Sequence, residues 1–92
     1  MPADSLREQL ARTLRVAHRL GFVGLLGHAS VRVEGAREIL VTPGRGPGSP
    51  SPNRVTAGDV LGIDLDGRVA RGGLPPPRDL AMHLAIYRCG DP

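Results

Sequence analysis

Asp79 and His83 stand four residues apart in "PPPRDLAMHLAIYRC", which places them on one face if the segment is helical. A carboxylate in such a position can act as a general base, and an imidazole can orient it or bind a metal. Structural roles suit the same residues, Asp79 as a helix cap and His83 as a hydrogen-bonded core side chain. The pair is too few for a catalytic zinc, which takes three protein ligands. His18, His28 and His83 show neither HxH nor HxxxH spacing. Spacing alone therefore supplies no metal site.

Two glycine-rich turns offer a different chemistry. "TPGRGPGS", Thr42 to Ser49, follows an apolar run and has the composition of a phosphate-cradling loop. It lacks the Lys-Ser/Thr ending of a P-loop, so a surface loop is the competing reading. Gly27-His28-Ala29-Ser30 forms a second turn, where backbone N–H groups can meet an anion. All twelve basic residues are arginine. Without lysine, Schiff-base chemistry is excluded on this chain.

These residues need elements to hold them. Residues 5–20 carry Leu6, Leu10, Leu14 and Ala17 as an apolar stripe, with Arg7, Arg12, Arg15 and Arg19 largely off it. Ser5 and Glu8 have capping-box spacing, and Gly21 supplies a stop. His18 reads as a solvated helix residue. Ser30–Val33 alternates as a strand, 34–37 is a turn, and Glu38–Thr42 is its antiparallel partner. A Pro/Gly/Ser-rich loop follows, then a single helical turn at Thr56–Asp59. Gly62–Leu65 and Arg68–Ala70 form a second hairpin around Asp66-Gly67. A proline connector leads into a last helix over Asp79–Arg88.

That order is α+β: short antiparallel strands flanked by two helices. The last helix is apolar on almost every side, through Leu80, Met82, Leu84, Ala85, Ile86 and Tyr87. A helix without a polar face calls for cover on more than one side. A chain of 92 residues buries only about 60–65% of its unfolded surface. With one Phe, one Tyr and no Trp, its core must rest on Leu, Val, Ile and Ala.

Composition also narrows the partners. The net charge is +3, and the arginines are scattered without aromatic residues between them. A nucleic-acid module would show a basic stripe or stacking aromatics, so none is expected. No apolar run approaches the roughly 20 residues of a membrane span, and the N-terminus is too polar for a signal peptide. Cys89 is the single cysteine, so no disulfide forms within the chain. A cytoplasmic, soluble protein is expected.

Taken in order, "LREQLARTLRVAHRLGFVG", "GHASVRV", "EILVTPGRG", "TAGDVLGIDLDGRV" and "HLAIYR" resemble the class II aldolase/adducin family. The resemblance spans essentially the whole chain but only the N-terminal part of the family's domain. It implies a partial α/β/α three-layer fold, a homotetramer in full-length relatives, and a divalent metal, often zinc. The implied chemistry is reversible aldol cleavage of a small hydroxy-carbonyl substrate; related members decarboxylate, epimerise or dehydrate. A Lewis acid then serves as electron sink in place of a Schiff base, which suits a chain without lysine.

By the same resemblance, Gly27, His28, Thr42 and Gly44 bind the anionic end of the substrate. His28 stands where the sugar-phosphate aldolases commonly carry Asn. Asp79 takes the place of the family's catalytic Glu, one methylene shorter, within Pro77-Arg78-Asp79 where the family has Ser-Ser-Glu. Arg78 is then placed to hold a carboxylate or phosphate. The family's three metal-binding histidines fall after the position of Asp91-Pro92. The chain is thus expected to be an N-terminal fragment, residues 1–92, inactive in isolation. A non-catalytic interaction module of the adducin type is the alternative.

Overall fold

The computed structural model describes residues 3–24 and 27–89. Helix α1 spans Ala3–Arg19 and α2 spans Leu80–Cys89. Strands β1 (Ser30–Arg32), β2 (Glu38–Val41), β3 (Leu61–Asp64) and β4 (Val69–Arg71) form one antiparallel sheet in the order β1-β2-β3-β4. Two short 3-10 turns, Pro52–Arg54 and Ala57–Asp59, lie between β2 and β3. The Asp91-Pro92 end lies outside the described residues.

Helix α1 starts two residues before Ser5, so Ser5 is inside the helix and is not its cap. Ala3 is the strongest of helix formers and extends the helix toward the N-terminus. The other end follows the expected stop. Phe22 N–H donates to the Ala17 carbonyl at 2.9 Å and Gly21 N–H to that of His18 at 3.1 Å, with Gly21 at φ 81°. These are the paired hydrogen bonds of a Schellman motif, and the left-handed residue it needs is glycine.

The pleat of the sheet sorts the core into two halves. Leu40 on β2 faces α1, where it packs with Leu10, Ala11, Leu14, Val55 and Val60. Ile39 and Val41 face the other way, joining Leu61, Ile63, Leu65 and Leu84 of α2. The result is α1, sheet, α2: three layers built from one alternation of period two. Pairing of Leu40 with Gly62 and Ile39 with Ile63 fuses the two expected hairpins into one sheet.

Two arginines that sequence places off the apolar stripe also secure α1. Arg7 Nη2 donates to the Val60 carbonyl and Arg15 Nη1 to that of Val55, both at 2.5 Å. Arg15 Nη2 further meets Glu8 Oε1 at 3.3 Å. The guanidinium groups thus hold the carbonyls of the two residues that follow the 3-10 turns. At α2, Leu84 and His83 are buried, whereas Met82 and Ile86 are exposed. No helix among the described residues is long and apolar enough to cross a membrane.

The loop after β2 is pinned against the proline connector. Gly44 N–H donates to the Pro75 carbonyl at 2.8 Å, and a Cβ on Gly44 would lie 2.6 Å from both Pro76 O and Pro77 Cα. Only a residue without a side chain allows that approach. Gly44→Ala is expected to cost about 1–3 kcal/mol by forcing the two segments apart. In a domain of this size that lowers Tm by at least about 4 °C. An unchanged Tm would contradict the contact.

Candidate functional site

The turn before β1, the loop after β2 and the residues leading into α2 meet at one end of the sheet. Between them lies a cavity of about 170 Å³, lined by Gly27, His28, Gly44, Arg45, Arg78 and Asp79 over an apolar floor that includes Leu14 and Val55. Five of the six residues to which the family resemblance gives a site role, Gly27, His28, Gly44, Arg78 and Asp79, therefore border one space. Arg45, passed over in the sequence, borders it too.

Thr42, the sixth, is fully buried and does not line the cavity. Its hydroxyl accepts from Ala29 N–H at 2.8 Å and donates to Ala29 O at 3.3 Å, while its own N–H donates to the same carbonyl at 2.9 Å. Thr42 thus clamps the turn that carries His28. The glycines also act otherwise than as N–H donors to a ligand. Gly27 N–H donates to Gly24 O at 3.0 Å and Gly44 N–H to Pro75 O. They contribute close approach, since a Cβ on either would lie within 3 Å of neighbouring atoms.

Asp79 precedes α2, and its carbonyl accepts the helix's early N–H groups from Met82 at 2.9 Å and His83 at 3.3 Å. Its exposed carboxylate lies 3.5 Å from His28 Nε2. Asp79 and His83 do share a helix side, but His28 sits between their functional atoms. His28 Nδ1 meets His83 Nε2 at 2.7 Å, with the rings edge-on at 4.7 Å between centroids. On its far side, His83 Nδ1 meets Ser30 Oγ at 2.6 Å, and Ser30 Oγ meets Tyr87 Oη at 3.0 Å.

Ser30 and Tyr87 are partners that sequence reasoning missed. A signal existed: Asp79, His83 and Tyr87 recur every fourth residue, a polar row on an otherwise apolar helix. His28 and Ser30 are likewise two apart, as neighbours on one strand face are.

Burial and the neighbouring His28 hold the His83 imidazole below its ordinary value of 6.5, against the opposing pull of Asp79. The unfolded chain then binds the His83 proton at higher pH than the folded one. Between those two values the unfolded state carries more protons, so stability rises with pH. This contribution is fully present above about 6.5 and is lost as pH falls through the window below it. Urea midpoints measured against pH should show this acid slope. His83→Gln, set among Ser30, His28, Asp79 and Tyr87, should flatten it.

A family model, the class II aldolase and adducin N-terminal domain, matches residues 8–91. The chain belongs to this family. Among solved structures it is similar to an L-fuculose 1-phosphate aldolase, at 19% identity and TM-score 0.81 over 95% of this chain and 40% of that one. It is also similar to YgbL from Escherichia coli, provisionally described as an aldolase/epimerase/decarboxylase, at 26% identity and TM-score 0.78 over 94% of this chain and 39% of that one. An aldolase II superfamily protein from Pseudomonas syringae matches at 23% identity and TM-score 0.81, over 95% of this chain and 35% of that one. This family member thus spans about two-fifths of the length of those relatives. No curated protein matches it significantly.

The α/β/α fragment expected from sequence is accordingly the fold found. A metal is a separate question. Among the described residues no three His, Cys, Asp or Glu side chains gather as ligands. Both ring nitrogens of His83 and Nδ1 of His28 are taken by hydrogen bonds. That leaves His28 Nε2 and Asp79 beside the cavity, fewer than the three protein ligands a catalytic zinc takes. These residues do not by themselves fit a catalytic zinc.

Proposed function

We propose that this chain forms the anion-binding and proton-transfer part of a class II aldolase-type site, acting on a small hydroxy-carbonyl substrate. The reaction class is aldol cleavage or a related lyase step. The observation that carries this reading is the placement of Asp79 and His28, 3.5 Å apart, beside a cavity that Arg45 and Arg78 also line.

Two guanidinium groups suit a carboxylate or phosphate, which each can bind through paired N–H donors. Asp79 is then the general base: in aldol cleavage it takes the proton of the substrate hydroxyl β to the carbonyl. The carbon–carbon bond breaks as that oxygen becomes an aldehyde, and the electron pair passes toward the carbonyl oxygen. His28, through Nε2, holds the carboxylate in place. Thr42 keeps His28 in register by clamping Ala29. Gly27 and Gly44 let the turn and loop close around the anion. The electron-accepting part, which the family resemblance gives to a divalent metal, lies beyond what these residues supply.

The reading is tested in a chimera in which this chain replaces the matching segment of a metal-dependent relative. The chimera is expected to cleave a hydroxy-carbonyl substrate, and the 92-residue chain to show no turnover with or without added divalent metal. Metal-dependent turnover by the chain alone would contradict this division of labour. A folded, metal-loaded chimera inactive on every such substrate would contradict the catalytic reading. That second outcome would favour a non-catalytic interaction module, for which the exposed Met82 and Ile86 of α2 offer an apolar contact face.

A further inference from the structure

The hydrogen bonds behind Asp79 form one unbranched row. Tyr87 Oη, Ser30 Oγ, His83 and His28 follow each other at 3.0, 2.6 and 2.7 Å, and His28 Nε2 ends the row 3.5 Å from Asp79 Oδ2. The row draws on the turn before β1, on β1 itself and on α2. Catalysis as proposed above uses only His28 of this row, together with Asp79.

An ionised carboxylate has no proton to donate, so the direction of the row is set at the Asp79 end. At 3.5 Å this is an ion-pair distance and not a hydrogen bond, but a bare Nε2 lone pair would face the negative carboxylate, so His28 Nε2 carries the hydrogen. In a neutral imidazole the other nitrogen is then an acceptor, so His28 Nδ1 accepts from His83 Nε2–H. The same rule makes His83 Nδ1 an acceptor, filled by the Ser30 hydroxyl. Ser30 Oγ in turn accepts from the Tyr87 hydroxyl. Every donor points toward Asp79, and no member of the row is left with two hydrogens meeting or two lone pairs meeting.

We propose that Ser30 and His83 are positioning residues that lock both His28 and His83 in the Nε2–H tautomer, with Tyr87 as the terminal donor. This rests on the reading of Asp79 as the ionised carboxylate of the site. The lock presents His28 to the cavity as a donor. The opposite tautomer would set a bare Nε2 lone pair against Asp79 and against any anion in the cavity.

Long-range proton–nitrogen correlation spectra of the 15N-labelled chain test the lock, recorded at about pH 8, above the ordinary imidazole range. His28 and His83 are both expected to show an unprotonated, acceptor-type Nδ1 and a protonated Nε2. Ser30→Ala removes the hydroxyl that fills His83 Nδ1, leaves only the 3.5 Å Asp79 contact to set the direction of the row, and should convert His83 to a mixture of tautomers. Ser30→Thr, which keeps a hydroxyl, should restore the single form. A predominant Nδ1–H form of either ring in the unsubstituted chain would overturn the proposal, as would a Ser30→Ala spectrum identical to it. The outcome is independent of catalysis. Locked tautomers with an inactive chimera would sink the catalytic reading alone, and an active chimera with Nδ1–H His28 would sink the lock alone.

Discussion

Asp79→Asn in the chimera is expected to lower kcat by about 10²–10⁴-fold, the usual contribution of a positioned general base, with little change in KM. The amide keeps the size of the side chain and an oxygen that can still face His28 Nε2. It loses only the capacity to take a proton. A mutation that removes an interaction made in the transition state lowers kcat and kcat/KM together, whereas loss of anion binding would raise KM. Asp79→Glu is the informative companion. The Asp79 side chain is 66% exposed, so one more methylene meets no packing obstacle. Glu matches the residue the family resemblance implies and should keep or raise kcat, since an ångström of reach matters at a proton-transfer atom. Equal activity of Asp79→Asn and the unsubstituted chimera would remove Asp79 from the chemistry.

Leu40→Ala is expected to cost about 2–5 kcal/mol, the range found for truncating a buried leucine. Leu40 is 1% exposed and carries the contact between the middle of the sheet and α1, against Leu10, Leu14, Val55 and Val60. Truncation leaves a void between two rigid layers, and a core without large aromatics has little to fill it. Against a total stability of about 5–15 kcal/mol, a single such change can leave much of the chain unfolded. Urea unfolding should show a lower midpoint at unchanged slope. Met82→Ala, on the exposed side of α2, should stay within about 0.5 kcal/mol. A loss below about 1 kcal/mol for Leu40→Ala would mean that α1 is not held on the sheet as described.

Local signals read well from sequence where one physical cause dominates. Leu6, Leu10 and Leu14 mark the inner face of α1, and Gly21 ends it because the left-handed stop suits glycine. Asp66-Gly67 marks the β3–β4 turn, where Asp64 Oδ1 accepts from the N–H groups of Asp66 and Arg68, both at 2.9 Å. Long-range pairing is less legible. That β2 pairs with β3 across residues 42–60 depends on α1 and the 3-10 segment closing over the loop, which no short spacing encodes. Arg7 and Arg15 look like solvated charges until the carbonyls of Val60 and Val55 come within reach.

The candidate site was legible as a set of residues but not as a geometry. Gly27, His28, Gly44, Arg78 and Asp79 do border one cavity, yet the glycine N–H groups are already engaged and Thr42 serves the turn. Tyr87 looked apolar among Leu84, Ala85 and Ile86, because its hydroxyl gains meaning only when Ser30 arrives from another strand. His83 read as half of an Asp–His pair, whereas His28 stands between the two.

The most direct measurement is an NMR titration of the 92-residue chain with inorganic phosphate, followed through backbone and arginine side-chain N–H signals. Saturable shifts are expected at Gly27, His28, Gly44, Arg45, Arg78 and Asp79, with a Kd of about 1 mM or tighter. Arg12 and Arg19, exposed on α1, should not follow that curve. Absence of a saturable shift around the cavity, or equal shifts at Arg12 and Arg19, would contradict an anion site formed by these residues.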